Sequence, residues 1–259
     1  MIDDYGKFIQ LVKQKSGIDL SLYKEKQMKR RLTSLRDKRG FNNFTSYFRA
    51  IDADEQLFHE FLDRMTINVS EFYRNFPRWE VLRQNILPNL LKENRPLKIW
   101  SAACSTGEEP YTIVMMLSDF MPLNQIKVFA SDIDENAIQR AKIGVYPERS
   151  LKEVPLDKKK KFFTFKDGLY KIDEDIKKCV TFKKHNLLLD DYDTNYDLIV
   201  CRNVLIYFTE EAKTAVYKRF SESLRPGGVL FVGSTEQIFN PQEFNFKSIQ
   251  TFFYEKQSI

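Results

Sequence analysis

The sequence has few of the residues that build metal centres and disulfide frameworks. Its 259 residues include only three cysteines and two histidines. Cys104, Cys179 and Cys201 lie far apart, and no two of them form a Cys-x-x-Cys pair. This spacing argues against a zinc site and against a disulfide framework, and it favours a reducing compartment. We therefore expect no bound metal.

Long apolar runs are also missing. None approaches the roughly 18 residues that a membrane-spanning helix needs, and the first residues lack the basic and apolar regions of a signal peptide. We expect a cytoplasmic protein with no direct membrane insertion. The net charge of +5 is mildly basic, far from that of a nucleic-acid-binding tail. The hydrophobic fraction of 42% allows a sizeable core in one large or two smaller domains.

The glycine pattern of dinucleotide-binding folds and the lysine of phosphate-binding loops are absent, which weakens NAD and ATP interpretations. Instead, an apolar strand at 97–102 runs into small residues, Gly107, the acids Glu108 and Glu109, and then Pro110 in a first helical turn. Small residues let a ligand approach the backbone at the carboxyl end of a strand. An acidic turn suits a ligand with positive charge, such as S-adenosylmethionine. An ordinary strand-to-helix turn is the alternative.

The hydrophobic pattern divides the chain in two. Residues 1–75 have helical spacing throughout, whereas alternating strands and helices begin at residue 97, as in a parallel sheet. We predict an N-terminal helical domain at 1–75 and an α/β domain at 76–259. Within the latter, a turn at 166–168 predicts a small β insertion at about 162–182, and the lysine run at 158–161 reads as a solvated helix end.

Asp132 ends the second predicted strand of the α/β domain, 25 positions after Gly107. An acid at this place commonly accepts hydrogen bonds from ribose hydroxyls. The alternative is an N-cap for the helix that follows, a role that Asp134 could equally fill.

A basic helix is predicted at 23–39. It carries eight lysines and arginines but only Glu25 and Asp37 as acids, so its positive charge exceeds that of the whole chain. Such a helix suits an acidic partner, although a solvated helix face is the alternative.

Five ordered segments together resemble the chemotaxis receptor methyltransferases of bacteria, the CheR family. They are residues 68–74, 100–111, 129–134, 186–188 and 201–208. Any one of them would be weak, but their order and spacing are specific, and the resemblance covers nearly the whole chain, including the basic helix.

The resemblance implies a class I, Rossmann-like S-adenosylmethionine-dependent methyltransferase domain, preceded by an all-helical domain and carrying a small β-subdomain insertion. It also implies transfer of a methyl group from S-adenosylmethionine to glutamate side chains of receptors, giving glutamate methyl esters and S-adenosylhomocysteine in sensory adaptation. The implied partner is the helical cytoplasmic region of transmembrane chemotaxis receptors.

Site residues follow from the matching positions. Cofactor binding is implied for Asn68, Ser70, Arg74, Glu109, Asp132, Asn186, Leu187, Asn203 and Val204. Arg74 and Tyr207 would lie nearest the transferred methyl and act in catalysis. Receptor binding is expected for Lys29, Arg30, Arg31 and Arg36 on the basic helix.

Two departures from the family pattern bear on these expectations. Threonine is usual where this chain has Ser70, but the hydroxyl is kept, so we expect the contact to be kept. Some members dock a receptor's C-terminal pentapeptide on the β insertion; the segment at 163–182 is short, so we expect no such tether. We also expect a monomer.

A carboxylate substrate is ionised at neutral pH and needs no general base, which agrees with a chain that has only His59 and His185. Two other functions stay open at this point: an adaptor that binds the cofactor without transfer, and a methyltransferase acting on another substrate such as nucleic acid. Amino-group methyltransferases of the latter kind typically carry two prolines after the fourth strand, where this chain has 202–207 without proline.

Overall fold

A computed structural model of the chain describes residues 3–66, 70–93 and 95–258. The helices are α1 (Asp4–Ser16), α2 (Glu25–Lys38), α3 (Phe44–Ala53), α4 (Glu55–Thr66), α5 (Phe76–Val81), α6 (Leu87–Leu90), α7 (Glu108–Leu117), α8 (Glu135–Ile143), α9 (Leu156–Phe162), α10 (Glu174–Lys178) and α11 (Glu210–Ser223). The strands are β1 (Ile99–Ala102), β2 (Val128–Asp132), β3 (Val145–Pro147), β4 (Phe163–Lys166), β5 (Leu169–Ile172), β6 (Val180–Lys184), β7 (Tyr196–Cys201), β8 (Leu224–Val232), β9 (Phe246–Gln250) and β10 (Phe253–Lys256). Across the described ranges, no helix has both the length and the apolar character needed to cross a bilayer.

The chain forms two compact units. The helical unit contains Met1–Asn68 together with Val204–Val216, and the sheet unit contains Val69–Asn203 together with Tyr217–Ile259. A short segment that follows β7 in sequence therefore belongs to the helical unit.

The helical unit is built from α1 to α4 around an aromatic core. Asp3 caps α1 by accepting a hydrogen bond from the backbone N–H of Gly6 at 2.7 Å, and Gly17 ends it in the left-handed region at φ 74°. The Phe8 ring lies 6.0 Å from the Tyr47 ring and 5.8 Å from the Phe61 ring. These three side chains are fully buried and pack α1, α3 and α4 against one another.

The sheet unit contains a seven-stranded sheet in the order β6-β2-β1-β7-β8-β10-β9. The five strands from β6 to β8 are parallel, and β10 and β9 form an antiparallel hairpin at one edge. The four residues of β1 are all buried, as expected for a strand in the middle of a parallel sheet. The α/β prediction with a helical domain before it is confirmed.

A separate three-stranded antiparallel sheet has the order β3-β5-β4. It includes β3, which lies before the range 162–182 in which the insertion was expected. Within that range β6 pairs with β2 of the large sheet. The turn between β4 and β5 contains Asp167 and Gly168, both with positive φ.

Two local predictions were wrong. The sequence predicts a helix from about 79 to 93 that is broken only by Pro88, but the structure has α5, a π-helical segment Leu82–Ile86 and then α6. The α-helical form is thus lost already at Leu82, before the proline that lacks an N–H. Lys158 is not solvated but 7% exposed, and its ammonium group pairs with Asp119, a contact between distant positions that the local lysine run gave no sign of.

Candidate active site

The turn after β1 has a backbone that few residues can adopt. Ala103 and Ser105 have φ values of 62° and 49°, and Gly107 has φ 93°. A Cβ atom on Gly107 would lie 2.8 Å from the Cβ of Ala141 on α8, closer than real carbon atoms approach. The turn is therefore fixed by its packing against α8, and it holds the two acids that follow in defined positions.

Glu108 and Glu109 differ in what they contact. Glu108 is buried, and its carboxylate accepts hydrogen bonds from the Thr106 hydroxyl at 2.7 Å and from the side chain of Ser70. Glu109 accepts one hydrogen bond from the Ser101 hydroxyl, at 2.8 Å to Oε1. Burial raises the pKa of Glu109 to about 7, and the charge of Arg202 is the largest effect opposing that rise. Glu109 is thus a half-buried carboxylate whose ionised form is costly, which favours a cationic ligand.

Asp132 joins the end of β2 to the turn after β1. Its Oδ2 accepts from the backbone N–H of Ser105 at 2.7 Å, and its Oδ1 accepts from that of Asp134 at 2.9 Å. Burial raises the pKa of Asp132 to about 6, against the effect of these backbone hydrogen bonds. The N-cap of α8 is Asp134, which accepts from the N–H groups of Asn136 and Ala137. The capping alternative for Asp132 is therefore wrong, and its carboxylate keeps lone pairs that could accept ribose hydroxyls.

Asn186 and Leu187 follow β6 at the same edge of the sheet. The backbone N–H of His185 donates to the carbonyl of Asp132 at 2.8 Å, which holds this loop beside the acid. Leu187 is buried, and its carbonyl accepts from the Tyr192 hydroxyl at 2.7 Å. The side-chain oxygen Oδ1 of Asn186 accepts a hydrogen bond from the N–H of Leu188 at 2.9 Å. This side-chain oxygen therefore stabilises the turn.

Ser70 and Arg74 belong to the sheet unit, and Asn68 lies outside the described residues. Phe72 lies between Ser70 and Arg74 in the sequence, and its backbone N–H donates to the carbonyl of Ser150 at 3.0 Å. The carbonyl of Arg74 accepts from the indole N–H of Trp79 at 3.0 Å. The segment 70–76 is therefore anchored to the sheet unit by its main chain.

Two residues that the sequence analysis did not select lie beyond β7 and β8. Arg202 donates from Nη2 to the carbonyl of Arg74 at 2.8 Å. The carboxylate of Glu236 accepts from the N–H of Asn203 at 2.6 Å and from that of Gly233 at 2.8 Å. Both charged side chains are over nine-tenths buried. Their position just after buried parallel strands, where ligand sites of such sheets lie, was the signal that could have found them.

Val204 and Tyr207 lie in the segment that belongs to the helical unit. The carbonyl of Tyr207 accepts from the N–H of Lys24 at 2.8 Å, and the N–H of Thr209 donates to the carbonyl of Leu22 at 2.9 Å. The Tyr23 and Phe208 rings meet edge to face at 5.0 Å. The loop that carries Tyr207 is thus built into the start of α2.

The four basic residues expected to bind receptors all lie on α2. Lys29 pairs with Asp3 at 3.3 Å, Arg36 pairs with Asp37 at 2.6 Å, and Arg30 is exposed. The Arg31 guanidinium lies 5.3 Å from the centre of the Tyr207 ring. A groove of about 690 Å³ runs along this helix. It is lined by Arg30, Arg31, Lys38, Arg64 and Tyr207, with Gln27, Ser34 and Leu35.

Comparison with known proteins decides the family. The model described as "CheR methyltransferase, SAM binding domain" matches residues 68–253, and that described as "CheR methyltransferase, all-alpha domain" matches residues 3–66. The chain belongs to the CheR methyltransferase family. The chemotaxis protein methyltransferase of Listeria innocua is 43% identical, covering 98% of this chain and 97% of that protein. Proteins of the same name from Borreliella burgdorferi and Salmonella typhimurium are 36% and 30% identical, each covering 91% of this chain and 88% and 84% of their own lengths.

The residues of this CheR chain fit the cofactor that the family's domain binds. S-adenosylmethionine presents an amino group, a sulfonium and two ribose hydroxyls. Glu109 and Asp132 supply carboxylates at the carboxyl edge of the parallel sheet, in surroundings apolar enough to raise the pKa of both. Carboxylates withdrawn from water are costly to ionise, and a cationic ligand that donates hydrogen bonds would relieve that cost further than the charges of Arg202 and Arg74 do at Glu109.

The predicted site residues divide between the two units. The sheet unit contains Ser70, Arg74, Glu109, Asp132, Asn186, Leu187 and Asn203, and the helical unit contains Val204, Tyr207 and the four basic residues. In the sheet unit, backbone or side-chain hydrogen bonds join Ser70 to Glu108 and the turn to Asp132. The individual roles of these residues stay predictions.

Proposed function

We propose that this chain transfers the methyl group of S-adenosylmethionine to glutamate side chains in the helical cytoplasmic region of chemotaxis receptors. The products would be glutamate methyl esters and S-adenosylhomocysteine. Relatives that share nearly the full length of the chain carry the name chemotaxis protein methyltransferase, and this supports a receptor as the substrate.

The observation that carries the proposal is the position of Tyr207 at the basic groove of the helical unit. Tyr207 lines this groove with Arg30, Arg31, Lys38 and Arg64. A groove with four basic side chains attracts a helix rich in glutamates. It would bring such a helix to the side chain that the family resemblance places nearest the methyl.

When bound, S-adenosylmethionine supplies a methyl group on a positively charged sulfur, and loss of that methyl leaves a neutral thioether. A glutamate carboxylate of the receptor forms the new C–O bond while the S–C bond breaks and its electron pair stays on sulfur. The carboxylate is ionised at neutral pH, so this chain need not remove a proton. Its own residues position the reactants: Arg74 would orient the carboxylate by paired hydrogen bonds, and Tyr207 would fix the attacking oxygen or the cofactor.

The test is transfer of label from methyl-labelled S-adenosylmethionine to a receptor cytoplasmic fragment. A parallel fragment carries glutamine at the candidate glutamates. We expect label in the first fragment and none in the second. Binding of the cofactor without transfer to any receptor fragment would favour an adaptor function instead. Label in added nucleic acid would favour a methyltransferase that acts on nucleic acid.

Two finer expectations accompany this proposal. Light scattering of the purified chain would test the predicted monomer. Titration of the chain with a receptor's C-terminal pentapeptide would test the prediction that the small sheet β3-β5-β4 does not hold a tether.

A further inference from the structure

Arg202 is a buried arginine to which the sequence analysis gave no role. It follows the last residue of β7, and only 8% of it is exposed. Its guanidinium lies between two aromatic rings, 5.1 Å from the centre of Trp79 and 4.8 Å from that of Phe231. A charged group is retained in such a place only where its surroundings compensate for the lost water.

One compensation is a hydrogen bond to the main chain of Arg74. Nη2 of Arg202 donates to that carbonyl at 2.8 Å, and the indole N–H of Trp79 donates to the same oxygen at 3.0 Å. Trp79 therefore contacts both arginines, one through its ring and one through its N–H. Because two donors converge on one carbonyl, the backbone of Arg74 is fixed in position even though its side chain is long.

The other compensation is negative charge. The acids whose charges act on Arg202 are Glu109, Glu236 and, more weakly, Glu153, and Arg74 is the like charge beside it. Glu236 is already engaged by the N–H groups of Asn203 and Gly233. The charges of Arg202, Arg74 and Glu236 act on the pKa of Glu109, and its carboxylate accepts a hydrogen bond from the hydroxyl of Ser101. Arg202 is thus the principal cation acting on Glu109.

We propose that Arg202 is a positioning residue for methyl transfer: its hydrogen bond to the carbonyl fixes the main chain of Arg74, and its buried guanidinium is the counter-charge to Glu109. The inference rests on the proposed function, since it assigns to Glu109 the cofactor's amino group and to Arg74 the receptor carboxylate. One buried side chain, that of Arg202, would thus act on both the residue that binds the cofactor and the residue that orients the receptor carboxylate.

A pH profile of cofactor binding separates this role from a merely structural one. Without Arg202, the pKa of Glu109 should rise further above its present value of about 7. Glu109 would then be protonated over a wider range of pH, and binding of a ligand that needs the carboxylate would weaken at low pH more than at high pH. A structural defect would instead lower the affinity by one factor at every pH.

Binding of S-adenosylhomocysteine, which keeps the amino group, is measured by calorimetry between about pH 6.5 and about pH 9 for the full chain and its Arg202→Met variant. Because the ligand's own titration is common to both, the ratio of their affinities reports on the protein. The ratio should be several-fold at the low end, where Glu109 would be protonated more in the variant, and close to one at the high end. An exposed arginine of the same unit serves as the control, and its variant Arg149→Met should leave the affinity unchanged at every pH.

Two further variants keep the test decisive if Arg202→Met does not fold. Arg202→Lys retains the charge without the planar group, so we expect a pH profile like that of the unchanged chain but a several-fold lower kcat. Glu109→Gln should bind weakly with an affinity that no longer changes around pH 7. Parallel profiles for the unchanged chain and the Arg202→Met variant, or a shifted profile for Arg202→Lys, would overturn the inference. An unchanged chain that binds no S-adenosylhomocysteine at all would overturn the proposed function instead.

Discussion

The guanidinium of Arg31 lies over the ring of Tyr207, 5.3 Å from its centre. The same side chain donates from Nη1 to the carbonyl of Met65 at 3.0 Å, so it is held at the end of α4 as well as at the tyrosine. The main chain of Tyr207 is held too, by the N–H of Lys24. The helical unit therefore fixes both the backbone and the ring of a residue that the family resemblance assigns to catalysis.

Replacing Arg31 by glutamine should lower kcat rather than weaken receptor binding alone. The change removes the cation–π contact with Tyr207 and the guanidinium that bonds to Met65. A contact of this kind contributes about 1–2 kcal/mol when partly buried, so we expect a fall in kcat of about 5- to 30-fold. Steady-state methylation of a receptor fragment measures it. The matched control is Arg30→Gln on the same helix, which should raise KM and leave kcat nearly unchanged; equal effects of the two variants on kcat would contradict the assignment.

Methylation should weaken as salt is added. Lys29, Arg30, Arg31 and Arg36 are exposed or half-buried on α2, and their attraction to an acidic helix is screened over about 10 Å at 0.1 M salt. We expect KM for the receptor fragment to rise several-fold between low and moderate salt while kcat stays constant. The Arg30→Gln variant should show a shallower dependence, whereas Lys166→Gln, an exposed change on the small sheet, should match the unchanged chain. A salt-independent KM would exclude electrostatic steering.

Glu109 should make stability depend on pH in a direction unusual for an acid. Burial raises its pKa from 4.5 to about 7, so the folded protein holds more protons than the unfolded chain between these values. The free energy of unfolding therefore falls as the pH rises through this window. Asp132, whose pKa rises from 3.8 to about 6, acts in the same direction at lower pH.

Urea unfolding without cofactor at about pH 5 and about pH 8 tests this effect. Glu109→Gln should remove the Glu109 part of the decline and raise the free energy of unfolding at the higher pH by up to about 3 kcal/mol. Glu222→Gln, an exposed change on α11, should leave the pH dependence as it is. If Glu109→Gln were no more stable than the unchanged chain at the higher pH, ionised Glu109 would not destabilise the fold, and the raised pKa would be contradicted.

Gly107 should tolerate no side chain. With φ at 93° and a Cβ that would lie 2.8 Å from Ala141, Gly107→Ala combines backbone strain with a collision, and we expect it to lower the free energy of unfolding by about 2–4 kcal/mol. Gly168 has a similar φ of 79° but nothing within 4 Å of the added atom. Gly168→Ala should therefore cost only about 1 kcal/mol. Equal losses would show that the packing against α8 is not what fixes the turn.

Removing the Arg74 side chain should impair transfer without unfolding the chain. Arg74→Ala keeps the carbonyl that Trp79 and Arg202 hold, so the local backbone should stay in place. We expect the methylation rate to fall about 100-fold with a thermal midpoint close to that of the unchanged chain. Arg149→Ala is the control for loss of an arginine. An unchanged rate in Arg74→Ala would remove Arg74 from the mechanism.

The sequence predicted those features that depend on residues close together in the chain. Local spacing, together with what glycine and acidic residues do at element ends, predicts the run from β1 through Gly107 to the two acids and the acid at the end of β2. Their structures agree with those expectations.

What the sequence could not predict depends on contacts between distant positions. Arg202 bonds to a carbonyl 128 residues earlier, and no local pattern indicates that a guanidinium is buried there between two rings. Glu236 accepts the N–H of Asn203, 33 residues before it, so its role depends on the adjacency of β7 and β8. In the same way, the placement of Tyr207 against α2 needs the tertiary fold.

The central claim is that the product is a glutamate ester, and the lability of the methylated receptor fragment in mild base tests it most directly. Carboxyl esters hydrolyse under those conditions, whereas methyl groups on nitrogen do not. We predict that labelled methanol is released from the fragment treated with this chain and that the fragment with glutamine at the candidate positions releases none. Label that stays on the fragment after base treatment would contradict the account and point to a nitrogen acceptor.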